Sequence, residues 1–418
     1  MIRGGSSLAG REGAAPSSNR SAAEAWTRVN QVGPAMDADV VIVGGGPVGS
    51  VLGLLLGRAG LRTLILDKGD YPRDKPCGEG LMPGGVRVLQ GLGIDLGRGG
   101  FPRISGIRYR LPDGPSVFGA FTSRSGSPGF GHAVRRTRFD AMLADRARSD
   151  PNITVRPRCT VTAVTPSSTG VNVETDSGRL SAPVVVGADG IRSSVRRLMG
   201  WSRPPREPFR HGLVSHLKVP DHGIGEVIVT LLDGREVYVA PSGPDELLAA
   251  VLARDGLRAP GLTVSQSYLQ TVTAAHPEFE GADCDRVWGA GPFRVESRTV
   301  AHGRVFLVGD AAGFIDPITG DAMSAGFRAA EHLAGLLASV DLETATGGYR
   351  TWFRRQWRTR RILTGVALKL TGSPALARRA LAGMSGHPGA LQSLLEVNSG
   401  ARSLSSVPLR DWTALAGI

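Results

Sequence analysis

The sequence predicts an α/β protein built on a doubly wound, dinucleotide-type parallel sheet, with a second β-sheet inserted into it and a helical C-terminus. Three observations predict this. Residues 39–43 form an almost wholly apolar strand that runs into the turn Gly44-Gly45-Gly46-Pro47-Val48-Gly49. Two later apolar strands, 184–186 and 305–308, each lead to an aspartate, Asp189 and Asp310. Residues 203–288 break into short strand-like runs separated by DHG, DG and GPDE turns. At 418 residues the chain has room for two or three domains of about 150 residues each.

The first strand lacks the alternation of a half-solvated strand, as expected for one buried on both faces of a parallel sheet. The turn after it fits G-x-G-x-x-G: Gly44 permits the tight bend, Gly46 lets a pyrophosphate approach the backbone, and Gly49 lets helix and strand pack closely. The helix expected at 50–59 then presents its N-terminus to the phosphates. The run 40–57 contains 18 uncharged residues but six Gly and a Pro, so it reads as strand, loop and helix rather than a membrane span. The second strand, RTLILD, ends at Asp67, where a carboxylate is placed to bond the hydroxyls of an adenosine ribose, with Lys68 beside it.

Residues 1–36 are rich in Ser, Ala, Gly and Arg and lack the apolar stretch of a secretion signal. They read as a disordered tail ahead of a natural start at Met36, a transit peptide being the lesser reading. Three Cys make no disulfide framework, which points to a reducing, cytoplasmic compartment.

The segment around Asp189 reads D-G-x-x-S-x-x-R through Gly190, Ser193 and Arg196. After Gly309-Asp310 the chain bends through Pro317 and Gly320, and a long Ala/Leu helix begins near Asp321. A carboxylate at a strand end accepts hydrogen bonds from polyol hydroxyls, and a helix N-terminus suits an anionic ring. With the first turn, these motifs resemble the flavin-dependent oxidoreductases of the p-hydroxybenzoate hydroxylase fold, the group of class A monooxygenases and geranylgeranyl reductases. The resemblance covers residues 37–340 and implies FAD as cofactor and NAD(P)H as electron donor. It implies a Rossmann-like FAD-binding domain of the glutathione reductase type (GR2) in three parts, 37–103, 131–202 and 291–340. A substrate sheet would come from 104–130 and 203–290, and a basic helical region from 341–418.

By the same resemblance Gly44, Gly46, Pro47 and Gly49 face the FAD pyrophosphate, and Asp67 the adenosine ribose. Asp189 lies near the pyrophosphate, and Asp310, with Gly309 and Pro317, holds the ribityl chain. Gly320, Ala322 and Met323 face the flavin pyrimidine, Ala322 standing where the family usually has Gly. Arg136, in an R-x-x-x-D helix start, comes near the ribityl-phosphate side, its alternative being a surface Arg on an amphipathic helix. Cys77, in a P-C-G-x-G loop like that of the reductases, reads as a small packed residue rather than a reactive thiol. Tyr238 and Pro241 line the substrate pocket by analogy, where a reductase-type Y-x-W-x-F-P segment lacks its Trp; Tyr238 reads as core rather than catalytic.

The absences narrow the chemistry. There is no second G-x-G-x-x-G after a strand, no C-x4-C redox pair, no W-x-W-x-I-P of the halogenases, no P-loop and no metal-ligand spacing. The net charge of +12 concentrates between 344 and 395, where nine Lys and Arg meet no acid. This stretch reads as basic amphipathic helices, either packed as a cap on the FAD domain or touching a membrane surface; no nucleic-acid module is present. The expected activity is oxygenation of an apolar or aromatic small molecule by an FAD-dependent monooxygenase, in natural-product biosynthesis. The alternatives are saturation of a lipid or polyene C=C bond and a non-redox FAD-bound cyclase.

Overall fold

The structure is a computed structural model that describes residues 36–123, 129–205, 207, 209–254 and 256–417. The expectation of a tail over 1–36 falls, except for Met36, outside the described residues.

Strand β1 (Val40–Val43) is buried along its whole length, as its unbroken run of Val and Ile requires. Helix α1 (Pro47–Arg58) follows, with Gly46 at its N-cap and Pro47 in the first turn, where a missing N–H costs nothing. It begins three residues earlier than the sequence suggests. Strand β2 (Thr63–Leu66) pairs in parallel with β1. The chain then crosses to β3 (Gly106–Arg110) and β4 (Ser116–Ala120), returns through α2 (Arg136–Arg148) and β5 (Ile153–Arg156), and reaches β6 (Val184–Gly187) and the short α3 (Ser194–Leu198).

Next come β7 (His211–Lys218), β8 (Val227–Leu232), β9 (Arg235–Gly243) and β10 (Glu246–Ala253), with helix α4 (Val264–Ala275) after them. Strand β11 (Trp288–Ala290) completes that sheet, and β12 (Ala301–His302) and β13 (Val305–Leu307) return to the first one. Helices α5 (Ala322–Ser339), α6 (Leu342–Thr371), α7 (Pro374–Gly386), α8 (Gly389–Asn398) and α9 (Leu409–Ala416) end the chain.

Two sheets carry the architecture. The first has strand order β12-β13-β6-β1-β2-β5, parallel apart from its β12 edge. The second has order β11-β7-β10-β9-β8-β3-β4, antiparallel except where β3 joins β8 in parallel. Residues 106–120 thus sit in the second sheet although they lie far from it in sequence. One face of that sheet, with Val237, Val239, Leu247 and Ala249, is sealed by α4 through Tyr268 and Val272. The sequence reading expected only strands between 203 and 288, and α4 corrects it. Thr263 and Gln266 form a capping box at its start, a T-x-x-Q signal that marks a helix N-terminus.

The C-terminal helices divide. Ala345, Tyr349 and Phe353 of α6 join the core of the parallel sheet, whereas α7, α8 and α9 pack through Leu381, Met384, Leu391 and Leu415 on the second sheet's other face. The cap is therefore not confined to the FAD domain. Among the described residues no helix is long and apolar enough to cross a membrane.

Candidate flavin site

The parallel sheet brings three turns together at the C-terminal ends of β1, β6 and β13. Gly44 has φ +106°, and a Cβ there would stand 2.6 Å from the Ala188 carbonyl. A Cβ on Gly49 would stand 1.8 Å from the Gly44 oxygen. Only glycine allows this turn and helix to pack so closely.

Asp67, at the end of β2, is buried and fully engaged. Its oxygens accept the N–H groups of Gly45 (2.6 Å) and Gly69 (2.8 Å) and both terminal nitrogens of Arg73. Burial by itself raises its pKa, but the Arg73 bond and charge and the two backbone donors together hold it below the usual carboxylate value. Lys68 beside it is exposed. The Tyr71 hydroxyl donates to the Gly45 carbonyl, and the Arg73 guanidinium lies 4.9 Å from the Tyr71 ring centroid. The first turn is thus braced by a segment to which the sequence reading assigned no role.

Arg136 opens α2 and is buried, paired through Nε and Nη2 with Asp140 at 2.7 and 2.8 Å. Arg73 Nε lies 3.8 Å from Asp140 Oδ2, the oxygen that also accepts from Arg136 Nη2, so alternating charges run Asp67, Arg73, Asp140, Arg136. The surface alternative for Arg136 does not hold, because a buried guanidinium needs this pairing. Its backbone N–H donates to Glu79.

Glu79 is the residue that sequence reasoning missed most plainly. It is buried, holds φ +55°, and links the Arg136 N–H (2.8 Å) to His216 Nε2 of β7 (3.0 Å). A left-handed conformation at a non-glycine residue is strained, and a Glu between two glycines is its only sequence signal. This carboxylate clips the second sheet to the cofactor domain. Cys77, two residues earlier, has a half-buried thiol that burial pushes up in pKa against the opposing charge of Arg136, so it stays protonated at neutral pH.

At the second turn Asp189 Oδ2 accepts the N–H groups of Ser194 (2.6 Å) and Val195 (3.1 Å), while Oδ1 is buried without a partner among the described residues. Arg196 ties this turn to the third one by donating to the carbonyls of Ala311 (2.8 Å) and Ile191 (2.6 Å).

In the third turn, Asp310 accepts no hydrogen bond on its carboxylate among the described residues. Burial raises its pKa, opposed by the charges of Arg360, Arg136, Lys75 and Arg196. Arg360 comes from α6, inside the run that the sequence presents only as a basic surface. Beyond Asp310, Pro317 begins a short 3-10 turn, Gly320 bends at φ +63°, and α5 starts at Ala322 with Met323 next. Among the described residues no side chain caps α5, which leaves its first N–H groups available to an anion.

The second sheet meets this turn directly. The Tyr238 hydroxyl donates to the Ile318 carbonyl at 3.2 Å. Arg210 lies between the buried carboxylates of Glu236 and Asp316, and burial raises the pKa of both acids. Tyr109, Tyr238, Val229 and Leu231 share an apolar cluster with α7, α8 and α9. Pro241 is three residues from Tyr238 on β9 and pairs with Leu247, whose side chain belongs to the core under α4. Strand alternation therefore puts Tyr238 on the flavin-turn side and Pro241 on the opposite side.

Comparison with known proteins agrees with this geometry. A family model described as an FAD binding domain matches residues 37–232. The chain is 31% identical over 348 residues to a digeranylgeranylglycerophospholipid reductase of Methanothrix thermoacetophila, covering 77% of this chain and 83% of that protein. It is 30% identical over 318 residues to the dialkyldecalin synthase of Streptomyces rugosporus, covering 73% of this chain and 66% of that protein. The chain thus spans about two thirds of that synthase's length. The solved structure of Diels-Alderase PyrE3, in the biosynthetic pathway of pyrroindomycins, superposes with a TM-score of 0.70 at 25% identity, covering 87% of this chain and 80% of that one. The glycine cradle, the partnerless Asp189 oxygen, the open Asp310 carboxylate and the uncapped α5 start fit FAD.

Proposed function

We propose, from the premise that the chain belongs to the FAD-dependent oxidoreductases of the p-hydroxybenzoate hydroxylase fold, that it is a monooxygenase. It uses NAD(P)H and O2 to hydroxylate or epoxidise an apolar or aromatic small molecule in natural-product biosynthesis, in the reducing cytoplasm. The observation that carries this reading is the apolar face where the second sheet meets the flavin turn: half-buried Tyr109 and Tyr238 stand beside Val229 and Leu231, which pack under α7–α9, and the Tyr238 hydroxyl bonds the Ile318 carbonyl. Such a face excludes water from oxygen chemistry and selects an apolar substrate.

When bound, FAD supplies electron transfer from the nicotinamide donor and activation of O2. The protein's part is to hold and shield. Gly44, Gly46, Pro47 and Gly49 receive the pyrophosphate with Asp189; Asp67 and Lys68 stand at the adenosine end. Arg136, Gly309, Asp310 and Pro317 serve the ribityl side, and the α5 start at Gly320, Ala322 and Met323 offers N–H groups to the ring. Tyr238 and the apolar cluster orient the substrate.

A second reading, saturation of a C=C bond, is favoured by the Cys77–Gly80 loop, fastened by Glu79 and His216, and by the reductase relative. A third, non-redox cyclisation, draws on the synthase relative. One experiment separates all three. The FAD-loaded protein is incubated with NADPH and a metabolite extract from a host lacking it, following product mass and O2 uptake. A gain of one oxygen atom with O2 consumption supports the monooxygenase. A gain of two hydrogens without O2 consumption makes it a reductase, and an isomeric product without NADPH oxidation makes it a cyclase.

A further inference from the structure

A cavity of about 800 Å³ lies beside α6, apart from the flavin site. Arg203 lines it from the segment between α3 and β7, Arg298 from the loop between β11 and β12, and Arg350, Arg354, Arg358 and Arg361 from α6. The α6 arginines recur at i, i+4, i+8 and i+11, which places them along one helix face. None of the six arginines forms an ion pair with a described residue. Among the described residues the single acid lining the cavity, Glu296, lies 3.7 Å from Arg294. Like charges at this spacing repel, so the face is unfavourable until an anion enters.

Two features show that the cavity suits more than a diffuse counterion. Phe353 and Trp357 also line it, stacked at 5.7 Å with 18° between their planes, a surface for an aromatic ring. Ser297, another lining residue, keeps a buried hydroxyl without a partner among the described residues. The volume falls within the range of about 300–1,000 Å³ seen for small-molecule sites. The cavity touches Ala312 but shares no residue with the proposed FAD contacts, so it is a separate site.

We infer that this cavity binds a phosphate-bearing small molecule with a flat ring: the arginines take the phosphates and the Phe353–Trp357 stack takes the ring. Arginine forks bind phosphate bidentately, which a lysine face would not do. Two sources share this chemistry, a pyridine nucleotide and a phosphorylated substrate or carrier. The inference does not depend on which reaction the flavin performs.

The test is calorimetric titration of the FAD-loaded full chain with NADP+, NAD+ and inorganic pyrophosphate, and separately with phosphatidylglycerol/phosphatidylcholine vesicles. NADP+ and pyrophosphate should bind competitively, with affinity falling steeply as salt rises. The double variant Arg354→Glu/Arg358→Glu should weaken both at least tenfold while its FAD absorbance stays unchanged. Trp357→Phe should weaken NADP+ more than pyrophosphate. NADP+ binding tenfold tighter than NAD+ would identify a pyridine nucleotide as the source, and pyrophosphate binding as tightly as NADP+ a different phosphorylated molecule. The inference is overturned if none of the three soluble ligands binds, if the double variant binds as the parent does, or if only vesicles bind. A second pair, Arg354→Lys/Arg358→Lys, keeps the charge and checks for misfolding: it should retain part of the affinity.

Discussion

Asp67 and Asp310 are both aspartates just past the end of a strand in the same parallel sheet, yet the protein treats them in opposite ways. Asp67 is saturated, with two backbone donors and Arg73 on its oxygens, and its pKa is lowered. The Asp310 carboxylate has no hydrogen-bond donor among the described residues, its pKa is raised by burial, and four cations answer it only at longer range. The first carboxylate is finished by the fold itself. The second is left for something else to finish, and hydroxyl donors of a bound cofactor are the chemistry that fits. Of the two, Asp310 is therefore the one whose loss should be read in cofactor affinity, and Asp67 the one whose loss should be read in folding.

The strongest way to break that comparison is to remove the cradle that both acids serve. Gly49→Val puts side-chain atoms where a Cβ is already 1.8 Å from the Gly44 oxygen. The variant should lose FAD entirely and accumulate as insoluble protein, which expression followed by flavin absorbance will show. A soluble, yellow Gly49→Val protein would mean that the turn does not pack as described.

The comparison itself is sharpened by Asp67→Asn and Asp310→Asn, measured on cofactor-free protein. Asp67→Asn leaves the buried Arg73 only its longer contact with Asp140 and should cost about 3 kcal/mol at neutral pH. Because the folded pKa is lowered, Asp67 contributes stability above its ordinary value of 3.8, and that contribution disappears as pH falls through the lower folded value. The gap between parent and Asp67→Asn should therefore close in acid. Asp310 has the opposite sign. Its raised pKa contributes stability only near and below 3.8, and this is lost as pH rises through the folded value. Asp310→Asn should thus leave the cofactor-free protein as stable at neutral pH or more so, by under about 1 kcal/mol, while FAD affinity falls roughly 10- to 100-fold from lost charge-assisted bonds. Thermal melts from pH 3.5 to 8 and flavin titrations check both; equal destabilisation by the two variants would erase the distinction.

What the sequence disclosed follows the same divide. Gly44, Gly49, Asp189 and Asp310 were legible because a turn, a close approach and a strand-end acid each require particular residue types at short, fixed spacing. Glu79 and His216 were not, because they meet across 137 positions and neither lies in a recognisable pattern. Arg360 was hidden among nine positive charges, since helical spacing shows which residues share a face but not which face turns toward Asp310. The saturation of Asp67 was also invisible, because Arg73 lies in a loop whose path local sequence does not dictate. That Pro241 and Tyr238 face opposite ways is a matter of strand alternation, which a linear motif does not display. The missed helix α4 differs in kind: its Thr263–Gln266 capping signal is local and was readable.

The smallest expected effect tests the residue that lies between structure and catalysis. Tyr238 donates one hydrogen bond to the Ile318 carbonyl, and burial, with the nearby Glu236 charge, keeps its hydroxyl protonated well above its ordinary pKa. Tyr238→Phe retains the ring in the apolar cluster and removes only that bond, which should cost about 1 kcal/mol of stability and leave flavin content unchanged. If Tyr238 only positions the turn, kcat should fall by no more than a few fold, with its pH profile unmoved, because a hydroxyl that does not ionise in the working range cannot add an inflection. A general acid would behave differently: losing a proton donor that acts in the transition state removes roughly 100- to 10,000-fold in rate. Those two ranges do not overlap, so a single kcat ratio beside a thermal melt decides whether the second sheet holds the flavin turn in place or takes part in the reaction.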